Sequence, residues 1–221
     1  MPVIHKIEHK DGQRSAVWEV QEDEYALLEM VALNPADATA FALIANRGRR
    51  LEWLAVRTLL KELYPGSPAI LYSENGKPQL ANDTTKISIS HSGKMVAIAL
   101  HPSKIPGIDI EMLNPRIYKI ASRFISDSEK NYLGDNPTFE QLTIIWGAKE
   151  VLFKVYEHGS ISFKDDFRIN PFLSSVKGKL TGIIQKNGEK APIPMEYMQI
   201  GTYMMVHTNY SYRDFENISE L

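Results

Sequence analysis

Asp109 and Glu111 stand two apart in the stretch Pro106-Gly107-Ile108-Asp109-Ile110-Glu111. A strand alternates its side chains, so Ile108 and Ile110 face one side and the two acids the other. Their Cβ atoms are then roughly 7 Å apart, because each residue rises about 3.3 Å. Carboxylates so placed repel each other unless a cation or a proton lies between them. A hard divalent ion such as Mg2+ suits carboxylate oxygens. The plainer alternative is a solvated strand end with two ordinary surface acids.

A second stretch, Trp146-Gly147-Ala148-Lys149-Glu150-Val151-Leu152-Phe153-Lys154, changes that balance. Phe139 to Glu157 carries Ile144, Ala148, Val151 and Val155 at the i, i+4, i+7, i+11 spacing of an apolar helix stripe, with Ile145 and Leu152 beside it. His158-Gly159 should end this helix. Glu150 and Lys154 lie one turn apart on the other face. They are either a surface Glu-to-Lys pair, or Glu150 is a third oxygen ligand or a base and Lys154 a phosphate clamp.

Two basic or polar clusters precede these stretches. Arg50, Leu54, Arg57 and Lys61 share one helix face, which is either solvated or a surface for polyanionic phosphate, where the planar arginine fork is useful. His91-Ser92-Gly93-Lys94 reads as the turn of a hairpin joining Ile87–Ser90 to Met95–Leu100. Its hydroxyls, imidazole and backbone N–H groups could hold a phosphate, or it is only a turn.

The elements that must position these residues follow in order. Residues 3–20 alternate around Asp11-Gly12, suggesting two strands and a turn. Gln21 to Leu33 suits a helix with an acidic start, broken by Asn34-Pro35. Ala36 to Leu63 reads as one long or bent helical region. Ala69–Tyr72 is a strand before a turn at Glu74–Pro78. A helix is expected from Arg116 to Phe124. Ser126-Asp127-Ser128-Glu129 has the form of a capping box, which gives Glu129 a structural explanation, although Glu129 could also face the metal. From Ile161 onward the pattern is mostly strands, with a turn at Asn187-Gly188 and an acidic end, Asp214 to Leu221.

Composition excludes several classes. The chain has 221 residues, 43% of them apolar, enough for one large domain or two small ones. A net charge of −2 provides no global basic field for nucleic acid. The absence of cysteine removes disulfides, thiolate zinc sites and cysteine nucleophiles, and suits the cytoplasm. No apolar run spans a membrane, and no secretory signal is expected at the N-terminus.

Taken together, Gly107-Ile108-Asp109-Ile110-Glu111 and, about 35 residues on, Trp146 to Lys154 resemble the 4′-phosphopantetheinyl transferases of the Sfp type. Asn75-Gly76-Lys77-Pro78 is similar to that family's Gly-Lys-Pro turn. Ile89-Ser90-His91-Ser92-Gly93 is similar to its Ser-His-Ser-Gly turn, and Gly159-Ser160-Ile161-Ser162-Phe163 to the segment after its lysine-bearing helix. The matches run from about residue 74 to 168. Gly147 departs from the family, which usually carries Ser, Cys or Thr there.

The resemblance implies an α/β (α+β) fold: a pseudo-two-fold monomer of two similar α/β halves with coenzyme A between them. The halves would be residues 1–104, binding the adenosine-phosphate end, and 105–221, carrying the metal and the catalytic helix. It implies transfer of 4′-phosphopantetheine from coenzyme A to a serine of an acyl or peptidyl carrier protein. Asp109, Glu111 and Glu150 would hold Mg2+, and Glu150 would be the base, directly or through a metal-bound water. Lys154 would contact the diphosphate. Ser90, His91 and Lys77 would bind the 3′-phosphate end. The family's helical arginine has two candidates here, Arg50 and Arg57. Arg116, Lys119, Arg123 and Lys130 are candidates for an acidic carrier surface, or simply solvated. A Mg-dependent phosphohydrolase acting on a nucleotide or coenzyme A is the alternative function, and a non-catalytic partner-binding module ranks last.

Overall fold

The structure, a computed structural model, describes residues 3–64, 66, 68–156, 160–186 and 188–212. Its contacts fall into two compact units, Met1–Ser103 and Lys104–Leu221.

The first unit opens with a hairpin of β1 (Val3–Glu8) and β2 (Arg14–Glu19), turned at Gly12, whose φ of +93° favours glycine. Helix α1 (Glu24–Val31) starts where Asp23 accepts from the Ala26 N–H, so its acidic start is an N-cap. The single helical region expected over 36–63 is two helices, α2 (Pro35–Ala42) and α3 (Arg47–Leu63). The break has a local cause: Asn46 turns its side chain onto the Arg49 N–H and caps a new helix. A small hairpin of β3 (Ile70–Tyr72) and β4 (Pro78–Leu80) follows, then β5 (Lys86–Ser92) and β6 (Met95–His101). The main sheet is antiparallel in the order β1-β2-β6-β5. Its core gathers Trp18, Leu54, Leu59, Leu60 and Ile98, all at 0% exposure, so α3 is the helix that covers it.

The second unit begins with β7 (Gly107–Met112). The helix expected over 116–124 is instead a 3-10 turn (Pro115–Lys119) and a single α-turn, α4 (Ala121–Phe124). Helix α5 (Asp127–Leu133) carries the expected capping box at Ser126 and Glu129. Helix α6 (Phe139–Val155) is also box-capped, by Thr138 and Gln141. The expected helix end at His158-Gly159 and the turn residue Asn187 lie outside the described residues. Strands β8 (Phe167–Ile169), β9 (Lys177–Lys186), β10 (Glu189–Ile200) and β11 (Tyr203–Thr208) complete an antiparallel sheet ordered β7-β11-β10-β9-β8.

The apolar stripe of α6 is buried: Ile144, Ala148 and Val151 are at 0% exposure and Val155 at 1%. It packs on β7 and β11, and the fit is close where glycine meets helix. A Cβ on Gly107 would come within 2.8 Å of Val151 and 2.9 Å of Val155. Glycine at 107 therefore lets the helix approach the strand that carries Asp109. The chain is a mixed α/β protein.

Candidate active site

Asp109 is the third residue of β7 and only 3% exposed. The expected alternation holds, with Ile108 and Ile110 buried on the opposite face. The acid face lies under α6, which buries Asp109 and leaves Glu111 half-buried. Lys154 donates to Asp109 Oδ1 at 2.8 Å and to the Ile108 carbonyl at 2.8 Å. Trp146 donates its indole N–H to Glu111 Oε1 at 3.0 Å. Helical spacing explains the reach, since Trp146, Glu150 and Lys154 recur every four residues on one face.

Glu150 is the most perturbed carboxyl of this group. Burial pushes its pKa up to about 7, and the charges of Asp109 and Glu111 add to the rise while Lys154 opposes it. Three carboxylates from β7 and α6 thus bear on one another electrostatically. Such a donor set is chemically suited to a hard divalent cation. Among the described residues, though, no group of three or more His, Cys, Asp or Glu side chains is arranged to hold a metal ion. The two β7 acids are not bare: Lys154 holds Asp109 Oδ1 and Trp146 holds Glu111 Oε1, contacts that a cation shared with Glu150 would have to rearrange. Nor is Glu150–Lys154 the simple surface pair, because Lys154 is spent on β7.

Gly147 also belongs to this corner. A Cβ there would lie 3.0 Å from Val206 Cγ2 and 3.3 Å from Asp109 Oδ2. Glycine lets the α6 backbone come down onto the Asp109 carboxylate.

Sequence reasoning passed over Lys149, which is 0% exposed. Its ammonium donates to Glu129 Oε2 at 2.8 Å, to the Phe163 carbonyl at 2.9 Å and to the Phe124 carbonyl at 2.5 Å. Burial lowers its pKa, and the Glu129 charge works against that. Glu129, also 0% exposed, accepts from the Ser126 N–H and hydroxyl through Oε2 and from the Ile169 N–H through Oε1. Both Glu129 oxygens are taken, so this acid does not face a metal. The missed signal was a lysine on a flank of α6 next to the apolar stripe, where a charge needs a buried partner.

In the first unit, Lys77 closes the β3–β4 turn, with its backbone N–H on Ser73 Oγ at 3.1 Å. Ser90 and His91 lie on β5, not in a loop; the turn is only Gly93-Lys94. Ser90 is 9% exposed. His91 is exposed, with Nδ1 3.7 Å from Glu52 Oε2.

Arg50 and Arg57 are corrected. Arg50 grips Glu24 through Nε at 2.9 Å and Nη2 at 2.6 Å, and its guanidinium lies 3.9 Å over the Phe41 ring. Arg57 is 4% exposed, pairs with Asp37 at 2.9 Å and stacks 3.2 Å from the Trp53 ring centre. Lys61 donates to the Met30 carbonyl at 3.0 Å, near the end of α1. Lys61 stays exposed, but the two arginines of this face are engaged with Glu24 and Asp37 rather than open to phosphate. The face is the seam joining α3 to α1 and α2, and its arginines serve packing and ion pairing.

Comparison with known proteins matches this region. Residues 106–197 fit the family model described as the 4′-phosphopantetheinyl transferase superfamily. The chain is 33% identical over 112 residues to the 4′-phosphopantetheinyl transferase AcpT of Escherichia coli (strain K12), covering 48% of this chain and 57% of that protein. It is 31% identical over 132 residues to the 4′-phosphopantetheinyl transferase of Bacillus subtilis, covering 53% of this chain and 58% of that one. For the 4′-phosphopantetheinyl transferase psf-1 of Bacillus pumilus the values are 32% over 124 residues, 53% of each. The chain spans about half the length of the curated relatives it matches. The matched segment holds Asp109 and Glu111 on β7 and Trp146, Glu150 and Lys154 on α6, and it is over residues 106–197 that the chain is similar to the 4′-phosphopantetheinyl transferase superfamily.

Proposed function

We propose that this chain transfers 4′-phosphopantetheine from coenzyme A to a serine hydroxyl of an acyl or peptidyl carrier protein. The observation that carries the reading is the gathering of Asp109, Glu111, Glu150 and Lys154 where β7 meets α6, within the family-matched segment.

The chemistry needs no nucleophile from this chain. The carrier serine oxygen attacks the phosphorus bearing pantetheine. A new P–O bond forms, the P–O bond to the adenosine phosphate breaks, and adenosine 3′,5′-bisphosphate leaves. The serine proton must go to a base. Glu150 would be that base, directly or through a water, with a carboxyl that burial lifts to about 7 when no cation is bound. Lys154 supplies a positive charge beside the acids, suited to the diphosphate. Mg2+, held by Asp109, Glu111 and Glu150, would offset the charge that develops on the leaving phosphate. Lys77, Ser90 and His91 of the first unit would take the 3′-phosphate end. The protein would then act in the cytoplasm, as a monomer, where coenzyme A and apo-carriers meet.

Incubation with coenzyme A, Mg2+ and a panel of apo-carriers, followed by intact-protein mass spectrometry, tests this. One phosphopantetheine mass on a carrier is the expected result. No mass gain on any acyl or peptidyl carrier would overturn the proposal. Coenzyme A cleavage without a carrier would favour the phosphohydrolase alternative.

A further inference from the structure

We propose that the buried Lys149–Glu129 ion pair is a positioning device that sets the height and rotation of α6 over β7. The claim rests, for its catalytic consequence, on the transferase reading above.

The geometry is that of a four-way tie. The Lys149 ammonium joins α6 to the end of α4 through the Phe124 carbonyl, to α5 through Glu129, and to the following loop through the Phe163 carbonyl. Glu129 extends the tie to β8 through the Ile169 N–H at 2.9 Å. Both side chains are fully buried. The rings beside this tie are in register with it: Trp146 packs on Phe124 at 5.1 Å and on Phe163 at 5.6 Å between centroids. The two residues whose carbonyls accept from Lys149 are therefore the two that hold the Trp146 indole. That indole in turn holds Glu111. Glu150 is the next residue after Lys149.

Energetics argue against stability as the main use. Removing two charges from water costs several kcal/mol per ion, so a buried pair often breaks even with packed apolar residues of the same size. What an apolar pair cannot supply is direction. Four directed hydrogen bonds fix one axial setting of the helix, whereas apolar contacts tolerate a slide. A displacement near 1 Å at reacting groups is enough to cost roughly 100-fold in rate.

The test is the apolar double variant Lys149→Met/Glu129→Leu, read in two ways. The first is steady-state kinetics with coenzyme A and an apo-carrier. We expect a folded protein whose kcat falls about 10- to 100-fold while KM for coenzyme A changes less than about threefold. The second is the Trp146 indole N–H resonance, assigned among the three tryptophans through Trp146→Phe. It should leave its hydrogen-bonded position in the double variant. A folded double variant with unchanged kcat and an unmoved indole signal would overturn the proposal. Should the double variant fail to fold, Glu129→Gln keeps an acceptor for Lys149 without the charge. It should retain most of the fold, with a smaller indole displacement and a partial loss of kcat; full wild-type values for both would equally overturn the claim. If the wild-type chain shows no transferase activity, the indole measurement still decides the positioning claim.

Discussion

The Lys154 ammonium sits 2.8 Å from Asp109 Oδ1, and Asp109 is only 3% exposed. A carboxylate so buried depends on that partner, because an unpaired buried charge is costly. Lys154→Met should therefore destabilise the protein by about 2 kcal/mol, as a shift in the urea midpoint at constant slope. Asp109→Asn should cost less, since the amide keeps an acceptor for Lys154. The double variant should recover part of the loss, giving a coupling energy of about 1–2 kcal/mol. Additive single effects would show that the pair is not coupled.

Glu150 makes stability depend on pH with a definite sign. Its pKa rises on folding from an ordinary 4.5 to about 7. The native state therefore holds the extra proton between these values, and stability falls as pH rises through them. Glu150→Gln should remove a penalty of up to about 3 kcal/mol at pH 8 and change nothing below pH 4. Thermal melts of both proteins at pH 4 and pH 8 measure the difference. Added Mg2+ should raise the wild-type melting temperature more at pH 8 than at pH 5, and the gain should shrink in Glu150→Gln.

Gly147→Ala tests the close approach of α6 to Asp109. Its Cβ would stand 3.0 Å from Val206 and 3.3 Å from Asp109 Oδ2, tighter than ordinary contact. Alanine gains helix propensity worth about 1 kcal/mol over glycine. We expect crowding to cancel that gain, leaving stability within about 1 kcal/mol of the wild type. Asp109 must shift to make room, so transfer activity should drop several-fold. A variant stabilised by the full propensity gain with unchanged activity would show that the corner has slack.

Much of this arrangement is legible in the sequence, for a physical reason. Period-two alternation put Asp109 and Glu111 on one face, and helical spacing put Glu150 and Lys154 one turn apart, though beside the stripe headed by Ile144 rather than opposite it. Those periods are local, so they can be counted along the chain. Which partner each polar group takes is not local. Lys154 finds Asp109 across 45 residues, and Lys149 finds Glu129 across 20. Lys149 sits beside the apolar stripe, but its spacing names neither Glu129 nor the two carbonyls that take its charge. The break between α2 and α3 was missed because Asn46 competes for the helix backbone with its own side chain, a choice that residue type alone leaves open.

Arg57 and His91 separate packing from ligand binding in the first unit. Spacing groups Arg57 with phosphate-binding arginines, but its guanidinium lies 3.2 Å over the Trp53 ring and is paired with Asp37, itself 8% exposed. Arg57→Ala would strand the Asp37 carboxylate, whose other side-chain partner is the Asn34 amide at 2.8 Å. We expect a loss of about 3 kcal/mol in unfolding free energy, with the coenzyme A affinity of the folded fraction unchanged. Arg57→Lys should recover little, because an ammonium cannot stack as the planar fork does. His91 stands exposed at the end of β5, so His91→Ala should leave stability within about 0.5 kcal/mol. If it meets the 3′-phosphate, coenzyme A should bind about 3- to 10-fold more weakly, while 3′-dephospho-coenzyme A binds equally to both proteins. The dephosphorylated analogue makes the comparison specific: a His91→Ala effect of equal size on both ligands would remove this residue from the 3′-phosphate and assign it to the surrounding surface.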